Sequence, residues 1–188
     1  MIRAIDGASL DRPDLVTGDP RAVFARLFEL HAGPMRGYLA GRVGADTADD
    51  LVAETFVVAY RRRASYDRHQ AEIRGWLYGI ASNLLRNHVR QEIRGYQLTA
   101  RAGADRPVTD GLDTAVAERV DAAARMRLLA GHLASLSEQE RDVLLLTSWA
   151  GLEPAEVAVA LDVPASTVRS RLHRVRQKLQ ALLSEGNR

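Results

Sequence analysis

The stretch Leu152-Glu153-Pro154-Ala155-Glu156-Val157-Ala158-Val159-Ala160-Leu161-Asp162-Val163-Pro164-Ala165-Ser166-Thr167-Val168-Arg169-Ser170-Arg171-Leu172-His173-Arg174-Val175-Arg176-Gln177-Lys178-Leu179 reads as a short apolar helix, a tight turn and a second helix with a basic face. That is the sequence form of a helix-turn-helix. In the first helix Val157 and Leu161 are spaced to face a core, and Ala158 is small enough to let the second helix cross closely. Pro154 and Pro164 suit the first turns of the two helices, because proline presets φ and neither position needs its missing N–H. Val168, Leu172, Val175 and Leu179 recur at helical spacing and make one buried stripe. Arg169, Ser170, His173, Arg174, Arg176, Gln177 and Lys178 are left facing outward. Between Ala165 and Gln180 there are five Arg or Lys and no Asp or Glu, in a chain whose net charge is only +2. A solvated amphipathic helix is the ordinary meaning of a charge run. The missing acids and the two-proline turn favour a helix that enters a major groove, with Arg at guanine edges or phosphates.

The 188 residues allow one large domain or two small ones, and a 46% hydrophobic share can fill real cores. A net charge of +2 is too small to indicate nucleic acid by itself, so the position of the charge carries the inference. Zero cysteines exclude disulfides, cysteine nucleophiles and thiolate metal sites, and fit a reducing interior. The opening residues carry Asp6, Asp11, Asp14 and Asp19 without a continuous apolar run, and no stretch approaches membrane-spanning length. A cytoplasmic protein with no membrane insertion is expected. His31, His69, His88, His132 and His173 are scattered without ligand spacing, and there is no Gly-rich phosphate loop. Neither a metal, a cofactor nor an enzymatic activity is expected.

Working back from the helix-turn-helix, Ser137-Glu138-Gln139-Glu140 is a capping box that opens a helix holding Val143, Leu144, Leu145, Leu146 and Trp149, with Gly151 at its stop. Met126, Leu129, Leu133 and Leu136 begin this second unit near Ala123, and residues 123–188 form the expected helix-turn-helix domain. Residues 97–122 have few large apolar side chains and no aromatics, and read as a flexible linker. Residues 1–19 mix Gly, Pro, Asp and Ser without periodicity and read as a disordered extension.

Between them, residues 20–96 hold three helical patterns. Val23, Phe24, Leu27, Phe28 and Leu30, then Met35, Tyr38 and Leu39 past the Gly33-Pro34 interruption, make the first. Asp46 is placed to cap a second helix from Ala48 to about Arg63, with Leu51, Thr55, Val58 and Ala59 inward and Asp50 and Glu54 outward. After a loop over Ser65 to Glu72, a third runs from about Arg74 to Arg94. It carries Trp76, Leu77, Ile80, Ala81, Leu84, Leu85, His88 and Val89 on one broad side, and Arg86, Arg90 and Arg94 at four-residue intervals on another. Nine of the ten aromatic residues lie between Phe24 and Tyr96, where core packing is their ordinary use. Trp76, Tyr78, Asn83 and Arg86 could also form a platform for unstacked bases, since stacking plus a basic flank is how single strands are held. The expected fold is therefore all-α, with two small helical domains joined by a flexible linker.

Asp49-Asp50-Leu51-Val52-Ala53-Glu54-Thr55-Phe56 and Gly75-Trp76-Leu77-Tyr78-Gly79-Ile80-Ala81-Ser82-Asn83-Leu84, followed by Gly151-Leu152 through Thr167-Val168-Arg169-Ser170-Arg171-Leu172, resemble the extracytoplasmic-function (ECF) group of bacterial RNA polymerase sigma factors. The likeness covers about residues 20 to 95 and 123 to 183. It implies a protein that binds core RNA polymerase and promoter DNA, recognises two promoter elements and supports DNA opening, with an anti-sigma factor as a further candidate partner. By that resemblance Asp49, Asp50, Glu54 and Phe56 are candidates for binding core polymerase. Trp76, Tyr78, Asn83 and Arg86 are candidates for promoter melting and single-strand binding, and Ala64 to Glu72 corresponds to a specificity loop. Arg169, Ser170, His173 and Arg174 would lie at base edges of the more distant element, and Arg171 and Arg176 nearer phosphate. Gly79 departs from a frequent basic residue, Glu153 from the usual Ser or Thr cap, and Ser166 from a frequent Gly. The competing reading is a dimeric helix-turn-helix regulator of duplex DNA, which leaves the Trp76 to Asn83 block and the acidic helix without a task.

Overall fold

In the computed structural model, residues 8–101 and 135–185 are described, and among them there are helices and turns but no strands. The helices are α1 (Ala8–Asp11), α2 (Pro20–Val43), α3 (Ala45–Arg61), α4 (Ile73–Arg101), α5 (Glu138–Ser148), α6 (Pro154–Leu161) and α7 (Ala165–Glu185), with a 3-10 turn at Arg63–Ser65. The all-α expectation holds. The expected linker and the start of the second unit, including Met126, Leu129 and Leu133, lie largely outside the described residues; α4 continues helical to Arg101, past the expected boundary at 96.

Helix α2 starts where Asp19 accepts the backbone N–H groups of Arg21 (3.0 Å) and Ala22 (3.4 Å), with Pro20 just inside. Pro34 does not interrupt it. The proline removes one backbone donor on an exposed face, while Met35, Tyr38 and Leu39 beyond it are buried, so packing carries the helix through. Gly44 ends α2 at φ +82° and also caps α3. The cap expected of Asp46 is therefore displaced: the chain has already entered α3 at Ala45, and Asp46 sits in the first turn, still favourable to the helix dipole. Within α3, Leu51, Thr55 and Ala59 are buried as expected, Thr55 by donating its hydroxyl to the Leu51 carbonyl at 2.7 Å. Val58 is only half-buried; Val52 and Phe56 are buried too.

Residues 8–19 differ from the expected loose extension. Leu10, Pro13 and Leu15 are buried, and Asp14 closes a tight turn by accepting from Val16 and Thr17 backbone N–H groups, both at 2.9 Å. The Thr17 hydroxyl, together with these two backbone bonds, holds the Asp14 carboxyl down at about 2. The polar composition hid this because only three apolar side chains do the anchoring.

In the second unit the capping box forms as read: Ser137 accepts from the Glu140 N–H at 3.3 Å, and Glu140 accepts from the Ser137 N–H at 3.0 Å. Helix α6 has Pro154 in its first turn, and Glu156 supplies the carboxylate that accepts from the Glu153 N–H at 2.7 Å. Asp162, at φ 53° and ψ 51°, makes the left-handed turn into α7. Pro164 lies one position before α7, where its carbonyl accepts from Thr167 (2.9 Å) and Val168 (3.2 Å). Val168, Leu172 and Val175 are buried as the stripe required, and Leu179 is half-buried.

The two units share one continuous apolar cluster that runs from Leu15 through the first unit and on to Leu172. Its seam is the crossing of α4 with α6. A Cβ on Gly75 would lie 2.9 Å from the Glu156 carbonyl oxygen, and one on Gly79 would lie 3.1 Å from that of Ala160. Two glycines one turn apart thus let the backbones of α4 and α6 touch. Ala160 is the buried small residue of α6 and meets α4, while Ala158, expected to ease the crossing with α7, is half-buried and packed against the core. Leu161, expected in the core, is half-buried.

Candidate nucleic-acid and polymerase interfaces

Helix α7 presents Arg169, Ser170, His173, Arg174 and Arg176 to solvent, because Val168, Leu172 and Val175 are taken up by the core on the opposite side. The Ser170 hydroxyl donates to the Thr167 carbonyl at 3.0 Å. Arg171 differs from its neighbours: it is half-buried and donates to Gln139 Oε1 at 2.7 Å, which turns it toward α5. Lys178 is exposed as read, and it also clamps α7 to α5, with Nζ 2.9 and 2.8 Å from the two Glu140 carboxylate oxygens. That ammonium, with the Ser137 backbone bond, holds the Glu140 carboxyl down at about 2.

Helix α4 separates the four candidates for single-strand binding. Asn83 follows Trp76 by seven residues, about two helical turns, so they share a side, whereas Tyr78 is rotated by about 200° from Trp76. Asn83 is exposed, and Trp76 is half-buried with its ring tilted against Tyr66 at 5.3 Å between centroids. Tyr78 is corrected. It is 1% exposed, packed edge-on against Tyr38 at 5.5 Å, and burial pushes its hydroxyl up to about 12, so its ring is core and offers no face to a base. Arg86 donates to Asn83 Oδ1 at 2.6 Å and to the Ser82 carbonyl at 3.3 Å, and its other end lies 3.9 Å from Asp142 of α5.

On α3, Asp49, Asp50 and Glu54 are all exposed. Asp49 is bonded by Arg36 of α2, at 3.1 Å from Nη2, which lowers its carboxyl and leaves Asp50 and Glu54 as the acids projecting from this helix. Phe56 is 8% exposed and meets Phe28 edge-on at 5.0 Å. Its edge forms part of an apolar groove of about 470 Å³ between α2 and α3, lined also by Phe24, Val57 and Tyr60. Phe28 and Val57 remain 47% and 48% exposed at its rim. In the sequence Phe28 is one of the apolar residues of the first helical pattern, and core packing is the ordinary use of such an aromatic. Phe28 shares the helical face of the buried Phe24, Met35 and Leu39, so periodicity carries no signal that separates it.

A basic recognition helix on a helix-turn-helix, joined to a second helical unit with an acidic flank, defines a two-unit DNA-binding protein. Residues 27–95 match the family model Sigma-70 region 2, and residues 127–179 match Sigma-70, region 4. The chain is 32% identical over 139 residues to RNA polymerase sigma factor NccH of Alcaligenes xylosoxydans xylosoxydans, covering 72% of each. It is 30% identical over 166 residues to ECF RNA polymerase sigma factor SigL of Mycobacterium tuberculosis, covering 87% of this chain and 90% of that one. The fold is similar to that of CnrH in complex with the cytosolic domain of CnrY, with a TM-score of 0.64 at 24% identity over 94% of this chain and 98% of that one. It is also similar to the sigma factor RpoE in complex with the anti-sigma factor NepR from Bartonella quintana, with a TM-score of 0.58 at 24% identity over 86% and 96% of the two chains. The chain belongs to the ECF group of RNA polymerase sigma factors. It is a sigma factor whose partners are core RNA polymerase and promoter DNA, and the dimeric-regulator alternative is not favoured, because both halves of the chain match sigma regions. Among the described residues no helix is long and apolar enough to cross a membrane.

Proposed function

We propose that three chemically distinct surfaces divide the work of this sigma factor. Asp50 and Glu54, four apart on α3, present paired carboxylates to a basic face of core polymerase, and the adjoining Phe28, Phe56 and Val57 groove takes an apolar side chain from it. Trp76 and Asn83 of α4 hold an unstacked base of the opened promoter, Asn83 by its amide and Trp76 by its ring, with the loop 64–72 beside them setting the preference. Arg169, Ser170, His173 and Arg174 read base edges in the duplex of the more distant element, and Arg176 binds phosphate. The single observation that carries this division is the exposure pattern of α4: Asn83 is exposed while Tyr78, rotated well away from it on the helix, is buried. An exposed amide whose only partner among the described residues is the end of Arg86 is available to a ligand.

Residues 20–96 and 123–188 are proposed as the functional units. The protein acts in the cytoplasm, stoichiometrically and without catalysis of its own. The complexes in which CnrH and RpoE were solved, with CnrY and NepR, make an inhibitory protein partner a further proposal. The test is run-off transcription from fragments selected by core polymerase reconstituted with this chain. Sequence-specific initiation from duplex templates is the expected result, and fragments bound equally well without polymerase would overturn it.

A further inference from the structure

Residues 8–19 precede the stretch that matches Sigma-70 region 2, which begins at residue 27, and none of the three surfaces above uses them. They are nonetheless anchored to the first unit: Leu10, Pro13 and Leu15 are buried, and Asp14 turns the chain back through the Val16 and Thr17 N–H groups. Arg12 stands between the first two anchors, just past α1 and directly before a proline, where the backbone has little freedom. Its side chain crosses to the loop that precedes α4. Nη1 donates to the carbonyl oxygens of Arg68 at 3.2 Å and His69 at 3.4 Å, and Nη2 lies 3.7 Å from Glu72 Oε1. Arg68 reaches back, with Nη1 3.9 Å from Asp14 Oδ2.

The loop has a closure of its own. Asp67 accepts from the His69 N–H through Oδ1 and from the Gln70 side-chain amide through Oδ2, both at 2.8 Å, and its carbonyl accepts from the Gln70 and Ala71 N–H groups at 3.1 Å. The Tyr66 hydroxyl donates to the Ala71 carbonyl at 2.9 Å and ties the ends together. These bonds are internal to residues 66–71, so they fix the shape of the loop but not its place on the unit. Its place is set from outside, by the Tyr66 ring on Trp76 at the base and by Arg12 at the tip. The Arg12–Glu72 and Arg68–Asp14 ion pairs are too exposed to contribute much. The two carbonyl bonds count for more, because the donor is charged and the acceptors are backbone atoms that move only with the loop itself.

We infer that Arg12 is a positioning residue for promoter recognition: by bridging the Arg68 and His69 carbonyls it holds loop 64–72 in the orientation from which the loop reads the base beside Trp76 and Asn83. Arg12 touches no nucleic acid itself and acts only through the loop. The inference rests on the reading of residues 64–72 as the loop that sets this preference. Without the bridge the loop spends part of its time out of that orientation, and the apparent affinity for the preferred base falls by the competent fraction. Bases that make no loop contact lose nothing. Selectivity at the melted element therefore depends on a segment outside the region 2 match.

The test uses the full chain reconstituted with core polymerase and a panel of fork templates from the selected promoters, in which each single-stranded base of the start-proximal element is varied in turn. Arg12→Met keeps the length of the stem and removes the donors. It should cut the advantage of the preferred base at one position by about two- to tenfold, the range one hydrogen bond spans, and leave the other bases and the duplex element as in wild type. Arg12→Lys restores a donor and should regain part of that advantage, with circular dichroism melts confirming that both variants are folded. Asp67→Ala, which opens the loop from within, tests the reading of the loop separately and should also reduce the preference. Unchanged preference in Arg12→Met beside a loss in Asp67→Ala overturns the role of Arg12 and leaves the loop reading intact. Unchanged preference in both refutes the loop reading, and the inference with it. An equal loss on every template, with a shallower salt dependence, would make Arg12 a phosphate contact and overturn the inference, as would an Arg12→Lys protein no more selective than Arg12→Met.

Discussion

Replacing Asn83 with Ala separates promoter opening from promoter binding. In the free chain the amide is exposed, and its one bond among the described residues is from Arg86, which keeps the Ser82 carbonyl and Asp142 as partners after truncation. The stability of the folded chain should therefore change by no more than about 0.5 kcal/mol. In the opened promoter the same amide pairs with a base edge, and a net hydrogen bond of this kind contributes about 0.5–1.5 kcal/mol. The open complex should then fall by roughly two- to tenfold relative to the closed one. Holoenzyme carrying Asn83→Ala is expected to occupy duplex promoters as wild type does, to show that deficit in permanganate-reactive thymines near the start site, and to recover on a pre-melted bubble template, where the unstacking cost of a few kcal/mol is already met. Normal opening by Asn83→Ala would refute the role of the amide. Normal opening by Trp76→Ala as well would return this side of α4 to ordinary surface.

Three further outcomes are expected. Arg174→Ala should cost about 1–3 kcal/mol at one base pair of the upstream element and relax preference there, whereas Arg176→Ala should weaken all sequences alike; equal, uniform losses in binding titrations would remove the division between base and phosphate contacts. Reversing Asp50 and Glu54 to Lys should reduce holoenzyme assembly in pull-down or sedimentation while circular dichroism stays native, and unchanged assembly would exclude this face as the dock. The Glu140 carboxyl is depressed from 4.5 to about 2 by Lys178 and the Ser137 cap, so its stabilisation is full above about pH 4.5 and is lost as pH falls toward 2; thermal melts over that window should fall more steeply for wild type than for Lys178→Met, and parallel curves would show that the clamp contributes nothing.

Local patterns in the chain determined the helices and the reading face. The capping box at Ser137, Pro20 after Asp19, and the Val168, Leu172 and Val175 stripe act within a turn or two of themselves, so spacing alone specifies them, and once the stripe is buried the Arg169 to Arg176 face has to point outward. The same locality explains the misplacements. Pro34 and Asp46 carry breaking and capping signals that a buried Met35 and a left-handed Gly44 outweigh, and Tyr78 shares a motif with Trp76 and Asn83 yet faces the other way on the helix. Only the tertiary structure decided that Arg42, Arg74 and Arg86 meet Asp142 and Glu156, that Gly75 and Gly79 are the seam of two helices, and that Phe28 lines a groove. Each of these joins residues separated by tens of positions. Whether an arginine ends on phosphate, on water or on a buried carboxylate depends on which surface folding brings opposite it, and no periodicity in the chain carries that information.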